Sequence, residues 1–236
     1  MNAFFSQFYS STKANAVKRA LFLTLLLWIL FPLFFFTSCA KEVDYFSYVS
    51  ELRNNVLLAQ DQTYSLRIYS VSKESPYESD GVPKEIIRRA EFYLSAPSGE
   101  KEYQLSFSIN GETHTAVLSF DNVKGEYYYF ESVDISACDT LECTLLYDGQ
   151  STVFLAKSVK TPTTLSPNDI LEKVKTSEPE LFSSLTDKYG FSGEIYLRLL
   201  YEDAPYYYVG IIDRNGNVTA FLLNGESGKI LAKRNA

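Results

Sequence analysis

From Tyr64 onward, apolar and polar positions alternate with a period of two, the pattern of half-buried β-strands, and turn residues break the runs about every eight to twelve residues. Leu66 and Ile68 alternate with Arg67 and Tyr69. After the polar loop Ser75 to Pro83, Ala90, Phe92 and Leu94 alternate with Glu91, Tyr93 and Ser95, and Pro97-Ser98-Gly99 turns the chain. The clearest hairpin places Tyr103, Leu105, Phe107 and Ile109 on one face and supplies Asn110-Gly111 for the two positive-φ positions of a type I′ turn. A run from Glu126 to Val133 and a hairpin around Asp148-Gly149 follow. Strands that recur without helices between them predict a mainly β fold, with residues 44–158 forming an antiparallel, immunoglobulin-like β-sandwich. Its opening segment, Asp44 to Gln60, fits a helix through Tyr45, Val49, Leu52, Val56 and Ala59. It also fits a strand through Phe46, Tyr48, Leu52, Val56 and Leu58, and the strand is expected for the second half.

Residues 159–165 form a short polar linker, and the texture then changes. Ser166-Pro167-Asn168-Asp169 offers a side-chain acceptor at the N-cap, proline at the first helical position and an acid at the third, which together start a helix. Ile170, Leu171 and Val174 give its apolar face. A second helical stretch restarts at Pro179, with Leu181, Phe182 and Leu185 as its stripe and Gly190 as its stop. Four strand patterns follow, with Asn215-Gly216 as a second type I′ signal. Helices followed by an antiparallel meander predict a small α+β domain over residues 166–236.

The leader has a different character. Residues 1–19 are polar to basic, and Ala20 to Ala40 carries no charge. At about 1.5 Å per residue, the apolar stretch from Ala20 to Phe36 spans roughly 25 Å, short of a bilayer core of roughly 30 Å. Pro32 would kink a spanning helix. Both facts favour a processed export signal over residues 1–39, with a retained membrane anchor as the alternative. With Lys13, Lys18 and Arg19 held inside, the rest of the chain is expected on the extracytoplasmic side. Phe36-Thr37-Ser38-Cys39 resembles the lipobox of bacterial lipoproteins, which implies lipidation at Cys39. A lipid and a retained helix both tether the domains to the cell membrane. Lipidation of Cys39 would leave Cys138 and Cys143 as an even pair in an oxidising compartment, either a disulfide or two reduced thiols on strands.

The tail YYYVGIIDRNGNVTAFLLNGESGKILAKR resembles the end of a PepSY-type domain, in which an aromatic strand, a glycine turn and a hydrophobic strand follow a helix. The resemblance implies an extracytoplasmic interaction, protease-inhibitory or folding-helper role. As a whole the chain is similar to lipoproteins of Gram-positive bacteria, which implies location and no activity.

Charge and composition narrow the chemistry. Twenty-two Lys and Arg against 29 Asp and Glu give a net charge of −7. The leader holds three cations and no acid, so the exported part is more acidic still. Phosphate contacts need clustered cations, and this balance argues against nucleic acid as a partner. One His and three Cys exclude His-rich or Cys-rich metal sites by count. No cofactor, metal site or catalytic set is expected. His114 falls beside a turn on the face of Ala116, Leu118 and Phe120 and reads as the rim of an apolar face. Gly190-Phe191-Ser192-Gly193 lacks the final glycine and the strand-to-helix order of a nucleophile elbow. Gly225 to Lys229 departs from a phosphate loop at Leu223 and Ile230, and Asp213, Asn215 and Asn217 depart from a calcium loop at Val218 and Asn224. The acids Glu51, Asp61, Glu74, Glu78 and Asp80 show no recurrent spacing, so carboxylate-based hydrolysis requires assembly in three dimensions. Aromatic clusters remain. Tyr127, Tyr129, Tyr206 and Tyr208 are the candidate binding surface for a protein or cell-envelope partner, because tyrosine gives large contact area at low entropic cost. The expected function is therefore non-enzymatic binding at the membrane, with a cell-envelope hydrolase as the alternative.

Overall fold

The computed structural model describes residues 43–77, 82–97, 99 and 101–235; the leader with Cys39, and Glu78 and Asp80, lie outside the described residues. Residues from Val43 onward form one compact unit. Strands hold 55% and helices 11% of the described residues, so the fold is mainly β, as the alternation predicts. In chain order the first nine strands are β1 (Val49–Gln60), β2 (Ser65–Glu74), β3 (Ile86–Ser95), β4 (Gln104–Ile109), β5 (Glu112–Val117), β6 (Ser119–Asp121), β7 (Glu126–Glu131), β8 (Thr140–Tyr147) and β9 (Gln150–Ser158).

Pairing runs outward from β1 in two arms. One arm is β2, β3 and β7, and the other is β9, β8 and β4, all antiparallel. The arms meet because β5 pairs with β4 while β6, its continuation past Leu118, pairs with β7. At that bend the Leu118 N–H donates to the Tyr103 carbonyl at 2.8 Å, and the Leu118 side chain is buried. The two layers are thus joined at both corners, and edge exposure is reduced to the split between β5 and β7. His114 reaches across that split, 3.6 Å from the Glu131 carboxylate.

Alternate residues of the ring point inward to the first core, where Phe92 stacks on Phe107 at 4.5 Å and Tyr103 meets Tyr127 edge-on at 4.8 Å. Asn110 and Gly111, at φ 53° and 83°, form the expected type I′ turn, and Asp148 and Gly149, at 50° and 72°, adopt the same turn in the expected hairpin. The second type I′ turn, expected at Asn215-Gly216, does not form. Gly216 alone has positive φ, at 82°, because the Asp213 carboxylate accepts the Asn215 and Asn217 N–H groups and closes the loop by itself.

The C-terminal part opens with α1 (Pro167–Ser177), whose Ser166 and Asp169 form the capping box that the sequence announces. Helix α2 (Pro179–Ser184) stops earlier than expected. Its last turn closes at Leu185, Thr186 bonds back to the Phe182 carbonyl at 2.7 Å, and Gly190 instead serves a two-strand hairpin, β10 (Thr186–Asp187) and β11 (Gly190–Phe191). The meander follows as β12 (Glu194–Tyr201), β13 (Pro205–Ile212), β14 (Val218–Asn224) and β15 (Ile230–Asn235). Its helix-facing side holds the second core, built on Ile195, Leu197, Tyr207, Val209 and Phe221 with Ile170, Val174 and Phe182.

The two cores share one strand. The first part of β1, Val49 to Arg53, pairs in parallel with β12, and the second part, at Leu57 and Leu58, pairs with β9 along the same edge. The division expected between residues 44–158 and 166–236 is accordingly crossed. Tyr45 packs edge-on against Phe182 and Phe191 at 4.9 and 5.3 Å, so the chain enters through the second core before Leu57 reaches the first. The 159–165 segment is pinned at both ends, by Val159 N–H to the Val56 carbonyl at 2.9 Å and Leu165 N–H to the Gly225 carbonyl at 2.8 Å.

Between the two partners of β1, a bulge at Asn54 changes the register. It also explains the ambiguous pattern, since Leu52 opposite Ser72 and Leu57 opposite Ile68 share a face although five residues apart. Asn55, fully buried, ties the fork together. Its amide donates to the Cys138 carbonyl at 2.8 Å and accepts from the Ser158 hydroxyl at 2.7 Å. Asn55→Ala would strand both buried partners, and we expect a loss of about 2–3 kcal/mol in urea unfolding, against less than about 0.5 kcal/mol for exposed Asn122→Ala.

Candidate functional site

The register of the strands brings three arginines into one row across the outside of the ring. Tyr208 of β13 lies opposite Arg198 of β12, Arg198 opposite Arg53 of β1, Arg53 opposite Val71 of β2, and Val71 opposite Arg89 of β3. Like charges side by side would repel, so the neighbouring rows supply carboxylates. Glu51 grips Arg198 with two bonds of 2.7 and 2.8 Å, and Glu91 pairs with Arg89 and accepts the Tyr93 hydroxyl at 3.2 Å. One row further, Arg67 pairs with Glu126. Burial alone would lower the Arg198 pKa, and the Glu51 carboxylate more than reverses that, so the net shift is upward.

Arg53 differs from its neighbours. Its guanidinium lies over the Tyr69 ring at 3.9 Å, its Nε is sealed from solvent without a hydrogen-bond acceptor, and no carboxylate pairs with it among the described residues. Burial pulls its pKa below the ordinary value, and Tyr69, Glu51 and Glu91 pull the other way.

Aromatic rings fill the spaces between these charges. Tyr69 meets Tyr93 at 5.5 Å, Arg198 lies 4.9 Å from the Tyr196 ring and 5.7 Å from the Tyr208 ring, and Arg89 lies 5.3 Å from Phe130. Tyr128 and Phe130, 40% and 54% exposed, extend the surface onto β7. Gly210, next to Tyr208 on this face, leaves the room its ring needs, since a Cβ there would come 3.0 Å from the Tyr208 hydroxyl. Burial first, and Glu91 next, push the Tyr93 phenol up to about 12, so it stays neutral at physiological pH.

The expected surface tyrosines divide between inside and outside. Tyr127 pairs with Leu94, a residue of the first core, and so points inward; it is 3% exposed and donates to the Lys101 carbonyl at 2.6 Å. Tyr129 packs against the same core and donates to Glu131. On β7 the outward phase belongs to Tyr128 and Phe130. Tyr208 belongs to the arginine row, and Tyr206 is half-buried with its hydroxyl donated to Asp203 at 3.1 Å. Arg53, Tyr69, Tyr93 and Arg198 escaped the sequence reading because each strand contributes only one or two of them. The outward phase of Tyr69 and Tyr93 was visible in the alternation, but their neighbours depend on pairing.

Cys138 and Cys143 are free thiols. Cys143 lies within the first core, where burial pushes its pKa up to about 12; Cys138 is half-buried and shifted upward, first by burial and then by Asp134 and Asp139. His114 stacks on Phe107 at 5.2 Å, at the rim where the alternation placed it. The scattered acids have structural partners: Glu51 holds Arg198, Asp61 accepts the Thr63 and Tyr64 N–H groups, and Glu74 accepts the Lys84 N–H. Glu131, Asp134 and Asp213 are all shifted downward by hydrogen bonds. Among the described residues, no three His, Cys, Asp or Glu side chains form a metal site, and no helix is long and apolar enough to cross a membrane. A separate open cleft of about 490 Å³ lies between Lys157, Lys160, Asp203 and Glu226, where Glu226 is already held by the Thr161 and Thr163 hydroxyls.

Compared with known proteins, the chain matches no family model, no curated protein and no solved structure.

Two measurements check this geometry. Site-resolved alkylation at neutral pH should label Cys138 slowly and Cys143 only after unfolding; equal native rates would contradict the burial described. The Tyr129 hydroxyl is the largest cause of the lowered Glu131 pKa, so Tyr129→Phe should raise it. A depressed carboxylate stabilises the fold above its unfolded pKa, about 4.3, and that contribution is lost as pH falls through the folded value. The native protein should therefore exceed Tyr129→Phe in urea stability at pH 7, and the gap should narrow at pH 3.

Proposed function

We propose that this chain is a membrane-tethered extracytoplasmic protein that acts as a non-enzymatic binding module of the cell envelope, with Cys39 as the lipid-bearing residue. The tether rests on the basic start, the uncharged run and the lipobox-like Phe36-Thr37-Ser38-Cys39. The binding role rests on one observation above the others: arginines and tyrosines are interspersed across six paired strands on the outside of the protein. Arginine and tyrosine are enriched at protein interfaces, and truncating such residues costs most of the binding energy. A broad sheet face of this kind suits a macromolecular partner better than a small substrate, which needs a concavity to bury most of its surface.

The reading is tested by capture from native membranes with the full-length protein and with a Tyr93→Ser, Phe130→Ser double variant. Full-length protein should recover one stoichiometric partner, and the variant should lose about tenfold or more in recovery. Equal recovery by both would place the partner elsewhere, and turnover of a cell-wall substrate by the purified protein would make it a hydrolase.

A further inference from the structure

Resting on that reading, we infer that Arg53 is the anchor of the surface and receives one carboxylate side chain from an acidic segment of a partner protein. The arginines nearest to it on these strands each have a carboxylate: Glu51 for Arg198, Glu91 for Arg89 and Glu126 for Arg67. Arg53 sits in the middle of the row with none among the described residues. Its placement is fixed on every side that is closed to solvent. The Tyr69 ring lies under the guanidinium, the Nε edge is buried, and the strand that carries it is paired on both edges at this residue. The terminal nitrogens are the open side. A guanidinium held over an aromatic ring loses little freedom on binding, and two parallel N–H groups match the two oxygens of a carboxylate.

Charge selects the anion. Glu51 already neutralises Arg198 and Glu91 already neutralises Arg89, so among the described residues Arg53 leaves one formal positive charge at the centre of the row. One singly charged carboxylate balances it. A phosphate, with about 1.5 to 2 negative charges, would leave an excess beside Glu51 and Glu91. Tyr69, Tyr93 and Phe130 flank the anchor and provide the apolar contact that a single exposed ion pair lacks. Arg53 therefore acts as a specificity element: partners that bring a carboxylate to this point bind, and those that bring a cation are repelled by the row of three arginines.

The test uses the full-length protein in an uncharged detergent, with ¹⁵N-labelled arginine, and follows the Arg53 side-chain Nε–H resonance by NMR. The probes are glutamate capped at both termini, inorganic phosphate and chloride, all at matched ionic strength. A saturable shift of Arg53 with capped glutamate, weaker with phosphate and absent with chloride, is expected. Arg53→Lys keeps the charge and removes the fork; read through the Tyr69 ring resonances, its affinity for capped glutamate should fall about ten- to a hundredfold, the equivalent of one hydrogen bond to a charged group. Tighter binding of phosphate, equal responses to all three anions, or unchanged affinity in Arg53→Lys would each overturn the inference. None of these results affects partner capture by the Tyr93 and Phe130 surface, so failure here leaves the binding role itself to its own test.

Discussion

One edge of β1 has to serve two strands in succession, and the structure is organised around that constraint. β12 arrives in parallel and occupies the edge up to Arg53; β9 arrives antiparallel and occupies it from Leu57. No strand can fill the gap between them, because both neighbours are diverging there. The backbone and side-chain groups of the gap are buried, where an unmet hydrogen bond costs about 1–3 kcal/mol. Asn55 supplies the missing partners from its side chain, and the bulge at Asn54 gives β1 the extra twist that lets its two halves belong to differently oriented surroundings. Both cores consequently depend on the same twelve residues. Unfolding either one withdraws β1 from the other, which favours a single cooperative transition over two independent ones.

The same strand accounts for the outer surface. Arg53 immediately precedes the bulge, so it is the last residue of β1 with β12 on one side and β2 on the other. That position puts it opposite Arg198 and close to Tyr69 and Glu91, which come from elements far apart in the chain. The Glu51–Arg198 pair is one strand position away. Its two hydrogen bonds contribute little net stability at a half-exposed site, since desolvation offsets much of the attraction. Its larger effect is to fix the register of β1 against β12, because a shift by one residue would turn Glu51 to the opposite face and leave Arg198 without a partner.

How much of this is legible in sequence follows from the range of each interaction. Signals that act within a few residues are readable: the Asn110-Gly111 and Asp148-Gly149 turns, the Ser166-Asp169 cap and the outward phase of Tyr69 and Tyr93 all appear where the residues say. Signals that act through pairing are not. Tyr127 and Tyr129 looked like surface residues because a run of aromatic side chains does not reveal its own phase; only the pairing of Tyr127 with Leu94 settles which side is inside. The short helix end at Ser184 escaped for a related reason, because Thr186 competes for the Phe182 carbonyl before Gly190 is reached. The parallel contact of β1 with β12 joins residues about 145 positions apart and leaves no local mark on either, so the arginine row that it creates was invisible as well.

A surface made this way has a property that loops would not give it. Binding is weakened when side chains must be ordered at the moment of contact, at about 0.5–1.5 kcal/mol for each flexible one. On this face the ordering has already been done by folding: Glu51 holds Arg198, Glu91 holds Arg89 and Tyr93, and Tyr69 holds Arg53. Those contacts add little to stability individually, and as surface salt bridges they would be poor explanations of the fold. Their effect is to present rigid arginine and tyrosine side chains at fixed spacings of one strand, about 4.8 Å apart. The cost falls on Arg53, whose buried Nε has no acceptor and whose charge lacks a carboxylate among the described residues. A polar group left in that state at the junction of the two cores would be replaced by an apolar one if stability alone determined the choice, and the proposed recognition role is a reason for keeping the arginine that folding does not supply.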